Sequence, residues 1–323
     1  MKYFLTGATG FVGGYLAKLL ISKGHQVIAL VRTPSKATEL KALGVTVVQG
    51  DVTDKESMRA PMSGVDGVFH VAGWYKLGLK NDDQGVKINI DGTRNVLELM
   101  QELKIPKGVY TSTLAINSST GGKKVDETFR FDGKHLSEYD RTKAAAHDIA
   151  EEKIKEGLPL VIVMPGVIYG PGDTSSLRDS ILKFLDGKLP MIPTTTEYSW
   201  AHVEDIAEAH WLAMEKGKTG ETYIICGPSH KLTEGMQIIA DAAGKKAPMK
   251  VPARWLRTMS KLIKPFDSLL PQDYTSEYLR VMGGSTYTGD NSKARRELGY
   301  NPRPLEVGMK ETIAYELSLR KGK

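Results

Sequence analysis

The sequence predicts an α/β protein, a doubly wound parallel sheet with a smaller C-terminal substrate-binding portion. Three observations predict it. A glycine-rich turn separates the first apolar run from the first helical repeat, short apolar runs then alternate with 3.6-periodic segments as far as Pro165, and beyond it the pattern loosens into Gly-, Pro- and Thr-rich segments.

Taken in order, residues 2–5 are short, apolar and aromatic, and Phe11, Val12, Leu16, Leu19 and Leu20 recur at helical spacing up to Gly24. That reads as strand, turn, helix. Strands follow at 25–31, 45–51, 66–73, 107–113 and 158–165. Between them lie helical stretches at 35–43, near Lys55, at about 84–103 and around 139–154. Such alternation makes right-handed βαβ units with helices on both faces of the sheet. Later helices are expected at 204–215 and 236–243. The expected division is residues 1–165 for a dinucleotide-binding domain and 166–323 for a mainly substrate-binding portion, some of whose segments return to the first core.

Hydrophobic residues at 41% and charged residues at 25% of 323 describe a globular chain, with no disorder-prone tract. The first strand begins at once and no uncharged apolar run approaches twenty residues, so a cytoplasmic protein is expected. The single cysteine, Cys226, can form no internal disulfide and has no ligand-spaced partner, so no metal is expected. A net charge of +6 accompanies no nucleic-acid-binding module and suits an anionic cofactor or a solvated basic surface. The densest basic stretch, 245–265, sets Trp255, Leu256, Met259, Leu262 and Ile263 in a helical stripe beside Arg254, Arg257, Lys261 and Lys264. This stripe is expected to pack on the rest of the fold, with contact to a membrane surface the less favoured alternative.

In TGATGFVG, residues 6–13, Gly7, Gly10 and Gly13 recur every three positions between strand and helix. Glycines there permit a tight turn and close backbone approach, and the helix N-terminus offers unpaired N–H groups to a pyrophosphate. A dinucleotide is the natural ligand, although the spacing is G-x-x-G-x-x-G and not the commoner G-x-G-x-x-G. Tyr139 and Lys143 are four apart on a predicted helix and so share a face. Thr111, Ser112 and Thr113 leave the preceding strand at the carboxyl end of the sheet, where such folds bind ligands. An ammonium beside a phenol would lower its pKa toward the working range, and Thr113 could hydrogen-bond a substrate oxygen.

In this order the motifs resemble the extended short-chain dehydrogenase/reductase family, which includes nucleotide-sugar epimerases and dehydratases, dihydroflavonol reductases and hydroxysteroid dehydrogenases. TGATGFVG, GDVTD, HVAG, NIDGTRNVLE, TSTLA, YDRTK, MPGVIYGPGD, AHVEDIAEA and DNSKARRELGYNP carry the resemblance across nearly the whole chain. It implies a Rossmann fold and a catalytic trio of Thr113, Tyr139 and Lys143, with Lys143 also holding the nicotinamide ribose. It implies dinucleotide contacts from Gly7, Thr9, Gly10, Phe11, Val12 and Gly13, and from Asp51 and Val52 at the adenine. Val71, Ala72, Gly73, Asn89 and Thr111, and Pro165, Val167 and Ile168 near the nicotinamide, complete the implied set. A dimer through the helices 84–103 and 139–154 is also implied.

Departures narrow the choice. Leu114 and Ala115 stand where similar dehydratases carry Asp-Glu, and Tyr198-Ser199 where many epimerases carry Arg-Asp. Met164 replaces the family's usual Arg before Pro165. The second strand ends at Arg32 with no acid before Glu39, which suits a 2′-phosphate, assisted by Lys36, and favours NADP(H) over NAD(H). His70, His202 and His210 are read as packing or hydrogen-bonding residues. Trp74, Tyr75, Tyr198 and Trp200 are expected in loops bordering a substrate cleft. The leading expectation is an NADP-dependent oxidoreductase that interconverts a carbonyl and a secondary alcohol on a small, mostly apolar substrate. A sugar 4-epimerase with tightly bound NAD and a non-catalytic dinucleotide sensor are the alternatives.

Overall fold

The computed structural model describes residues 1–323 except 76–82, 268, 270–274, 277–278, 280–282 and 322–323. The chain runs through strands β1 (Lys2–Thr6), β2 (Gln26–Val31), β3 (Thr46–Gln49), β4 (Gly67–His70), β5 (Gly108–Thr111) and β6 (Leu160–Pro165). Then come β7 (Val167–Tyr169), β8 (Met191–Pro193), β9 (Glu197–His202), β10 (Thr222–Ile225), β11 (Ser229–Lys231), β12 (Met249–Val251) and β13 (Thr286–Tyr287). The helices used below are α1 (Phe11–Ser22), α2 (Thr38–Ala42), α3 (Lys55–Met62), α4 (Gly92–Glu102), α5 (Glu138–Lys155), α6 (Ser176–Leu185), α7 (Val203–Lys216), α8 (Leu232–Ala243) and α9 (Ala253–Ile263).

Seven strands form one parallel sheet in the order β10-β6-β5-β4-β1-β2-β3. The chain winds outward from β1 to β3, then restarts at β4 on the other side of β1. That reversal leaves a crevice at the carboxyl ends of β1 and β4, where ligands of such sheets sit.

Both faces of the sheet are covered, which is why its strands read as continuous apolar runs and not as alternating ones. In β1, Phe4 points into one core, with Val96, Met100 and Ala146 of α4 and α5, while Tyr3 and Leu5 point into the other, with Leu16, Leu20 and Ile206 of α1 and α7. Burying each such side chain contributes about 1.5–3 kcal/mol.

Several elements depart from the expected outline. The segment 35–43 divides into a 3-10 turn, Pro34–Lys36, and α2. The helix expected at 84–103 opens with a π-helical segment, Val86–Asp91, before α4. From the second half of the chain, β10 joins the main sheet beside β6, and α7 packs on α1. The remaining C-terminal elements build a cover. Strand β9 pairs with β7, β11 and β13, β8 pairs with β12, and α8 packs against the helix Leu305–Lys321.

Helix α9 does not bury its stripe as expected. Leu256 and Ile263 are half-buried, whereas Trp255 is 65% and Leu262 63% exposed. The apolar arc is wider than the surface available to cover it, so only one edge of it meets the protein.

Candidate active site

The first turn behaves as its glycines demand. Gly7 adopts φ +77°, a left-handed conformation that side chains disfavour, and a Cβ there would stand 2.7 Å from the Ala72 backbone nitrogen. At Gly13 a Cβ would overlap the Gly7 carbonyl oxygen. Gly10 closes the turn with a 2.9 Å N–H···O bond to Gly7 and is the N-cap of α1, where no side chain satisfies the first N–H groups. The Thr6 hydroxyl ties this turn to the end of β4 by accepting from the Ala72 N–H at 3.1 Å and meeting His70 Nδ1 at 2.8 Å. The result is a backbone cradle with exposed donors, a form that suits a dinucleotide pyrophosphate. Gly13→Val is expected to weaken dinucleotide binding at least about tenfold, because the loop must move to admit the side chain; a fluorescence titration with dinucleotide checks this.

One cavity of about 950 Å³ runs from this cradle across the carboxyl ends of the strands. Gly7, Thr9, Gly10, Phe11, Val12 and Gly13 line one end together with Arg32, Asp51 and Val52. Val71, Ala72, Gly73, Thr111, Pro165, Val167 and Ile168 line its middle. Arg32 is exposed at the end of β2 and, among the described residues, has no ion-pair partner. Lys36, by contrast, is exposed in the 3-10 turn and stands outside the cavity wall. Asn89 is also outside it. Fully buried, Asn89 accepts from the Trp74 N–H at 2.7 Å and donates to the Trp74 carbonyl at 3.1 Å and to Thr142 Oγ1 at 2.9 Å. It fixes the loop after β4 to α5, a positioning contact in place of the expected ligand contact.

Helix α5 is started by Ser137, whose hydroxyl accepts from the Asp140 N–H at 3.1 Å and donates to Asp140 Oδ1 at 2.7 Å. That cap places Tyr139 in the first turn and Lys143 one turn later, both on the cavity wall with Thr113. Burial raises the Tyr139 phenol well above its ordinary range, against a smaller lowering by its hydrogen bond with Thr113. A phenol is protonated at neutral pH in any case, and burial makes it a weaker acid still. The Tyr75 ring stands edge-on to it, with centroids 4.8 Å apart.

Lys143 departs from the expected arrangement. Its ammonium donates to the Thr111 carbonyl at 2.8 Å and to the Tyr110 hydroxyl at 3.1 Å, and burial brings its pKa down to about 7. It thus serves the end of β5 and does not lower the phenol, because the low-dielectric surroundings penalise both charged forms.

The expected aromatic residues separate. Trp74, Tyr75 and Tyr198 line the cavity. Trp200 does not. It lies in β9, 1% exposed, with its indole N–H donating to the His230 carbonyl at 3.2 Å, because pairing of β9 on both sides turns that residue into the core. Tyr198, in the same strand, stacks on Tyr287, which also lines the cavity.

Other residues of the wall were not among those expected at the site. Asp173 is buried and held by Ser175 through the N–H at 2.7 Å and the hydroxyl at 2.9 Å, and Leu189, Ile192 and Met236 form an apolar end. Only the GPGD turn at 170–173, read as a motif in its own right, could have pointed to Asp173.

The buried histidines support the frame. His210 Nδ1 faces the Ile206 carbonyl at 2.7 Å and its Nε2 the Thr111 hydroxyl at 2.8 Å; His70 lies between Thr6 and Thr93. Burial takes His210 down to about 4 and His70 to about 3. Both are neutral when folded but take up protons when unfolded below pH 6.5, so stability falls as pH drops from 6.5 toward 4. Each contributes on the order of 3 kcal/mol to that loss, and chemical denaturation across this window should show a smaller loss for His210→Gln.

Comparison with known proteins follows the same lines. A family model described as the NAD dependent epimerase/dehydratase family matches residues 3–226. A putative dihydroflavonol 4-reductase of Synechocystis sp. is 31% identical, over 96% of this chain and 93% of its own. The sterol demethylase protein B of Methylococcus capsulatus is 27% identical over 98% of both chains. The crystal structure of gox2253 superposes with a TM-score of 0.83, at 31% identity and 98% coverage of each chain.

Proposed function

Since the chain belongs to the NAD dependent epimerase/dehydratase family, within the extended short-chain dehydrogenases/reductases, we propose that it is an NADP-dependent oxidoreductase interconverting a carbonyl and a secondary alcohol on a mostly apolar substrate. The observation that carries this reading is the single cavity in which Thr113 and Tyr139 stand between a glycine cradle and an apolar end. The cradle residues and the N-terminus of α1 would hold the pyrophosphate, and Asp51 and Val52 would border the adenine. When bound, the dinucleotide supplies or accepts the hydride.

Tyr139 then handles the proton. Protonated at neutral pH, its hydroxyl would donate to the oxygen of a carbonyl under reduction and be left as the phenolate, and in the reverse direction that phenolate would take the proton from the alcohol. Thr113 orients that oxygen by hydrogen bonding, and Lys143 holds the β5 end on which Thr113 depends. Trp74, Tyr198, Tyr287 and Met236 supply apolar surface for the remainder of the substrate.

Preference for NADP rests on Arg32, whose guanidinium suits a 2′-phosphate and has no carboxylate competing for it among the described residues. Arg32→Asp is expected to weaken NADPH by about tenfold or more while leaving NADH within about threefold; equal losses in parallel titrations would remove the assignment. A cytoplasmic location and a homodimer through α4 and α5 belong to the same proposal, the latter checked by mass in light scattering.

The test of the reading is NADPH oxidation by the purified protein against aromatic, aliphatic and steroid-like carbonyls. Turnover supports a reductase. Copurification with NAD and turnover of nucleotide sugars without net NADPH loss would replace it with a 4-epimerase.

A further inference from the structure

Among the described residues thirteen large apolar side chains are exposed, and six of them, Met249, Trp255, Met259, Leu262, Phe266 and Leu269, fall within residues 249–269. This is the α9 region. At 100° per residue, Trp255 and Leu262 share the outer part of the helix, with Arg254 and Lys261 along one margin and Met259 between the outer part and the cavity. The segment 242–266 holds seven Lys or Arg and no Asp or Glu. The inner edge of the same helix is functional wall, since Leu256 and Met259 line the apolar end of the cavity.

We propose that α9 and its flanks seat the protein on an anionic lipid bilayer, with the apolar end of the cavity facing that surface. Trp255, Leu262 and Phe266 would enter the headgroup boundary, while Arg254, Lys261 and Lys264 meet lipid phosphates and carboxylates. Charge selects this occupant. A second copy packed on the same face would bring together two patches, each with five Lys or Arg against the single acid Asp267 in residues 249–269, whereas an anionic bilayer neutralises them. The contact is peripheral, because α9 has eleven residues and no helix among the described residues is long and apolar enough to cross a membrane. An apolar substrate dissolved in the bilayer would then reach the cavity without crossing water.

The test is sedimentation of the full chain with vesicles of phosphatidylcholine containing about 30% phosphatidylserine, and with phosphatidylcholine alone. Binding is expected to the anionic vesicles, weakened by salt at about 0.5 M and reduced about tenfold or more in Trp255→Glu/Leu262→Glu. Both residues are exposed and lie outside the cavity wall, so an unchanged melting curve should accompany that loss. Failure to bind anionic vesicles, or binding that the double variant leaves unchanged, overturns the proposal. A dimer that the double variant dissociates, with no vesicle binding, assigns the face to a second copy. Saturable binding of polyglutamate without vesicle binding assigns it to an acidic protein. The assay needs no turnover, so it stands apart from the reductase reading.

Discussion

Tyr139→Phe is expected to lower kcat about 10³-fold, equivalent to about 4 kcal/mol of transition-state stabilisation, while dinucleotide affinity changes less than about threefold. The hydroxyl is the only atom removed, and the ring keeps its edge-on contact with Tyr75. The phenol carries its proton at neutral pH with or without the upward shift, and the reacting oxygen, rather than a prior charge on the residue, draws that proton off. Parallel measurement of kcat and of dinucleotide binding separates this role from a structural one. Loss of both together would mean that Tyr139 shapes the site and does not move a proton.

Lys143→Met is expected to abolish most turnover and yet to raise stability at pH 7 by about 1–3 kcal/mol. The lysine's pKa is 10.5 when unfolded and about 7 when folded, so between these values the unfolded state binds the extra proton. Stability of the natural chain therefore rises with pH across that window, at up to about 1.4 kcal/mol per unit, as the buried ammonium ceases to be required. Below pH 7 the full penalty remains. Its hydrogen bonds to Thr111 and Tyr110 offset part of that penalty, which keeps the expected gain of the variant small. Denaturation at pH 7 and pH 10 should show the advantage of Lys143→Met shrinking with rising pH. An advantage constant with pH would mean that the lysine stays charged in the folded protein throughout, its pKa unshifted by burial.

Such a residue illustrates a conflict between stability and function. A charged amine that destabilises the fold is retained at the end of β5, next to Thr113, where the carboxyl ends of the strands converge on the cavity. Its neighbours His210 and His70 are polar for the same reason. They satisfy hydroxyls of Thr111 and Thr6 that point into the layer beneath the site, where an unpaired polar group would cost about 1–3 kcal/mol.

Much of this was legible in the sequence where the signal is local. Gly7 and Gly13 announced a turn that no side chain could enter, and the 3.6-residue period of 11–20 announced the helix behind it. The four-residue spacing of Tyr139 and Lys143 announced that both share one wall, although the Ser137 cap that starts α5 appears only in the structure. Trp200 was misplaced because its burial depends on β7, β11 and β13, which approach β9 from distant parts of the chain. The hydrogen bonds of Asn89 to Trp74 and Thr142 likewise join segments that are far apart in the chain.

By itself the sequence determined the α/β alternation, the glycine cradle and the Tyr139–Lys143 spacing, since each depends on backbone geometry within a turn or two. Tertiary structure alone decided which groups are desolvated and what covers each face: the raised Tyr139, the depressed Lys143, and the outer side of α9 left bare. The physical reason is that caps, turns and periodicity are properties of neighbouring residues. Burial and charge state are set by every segment that packs around a group, and most of those segments are remote in the chain.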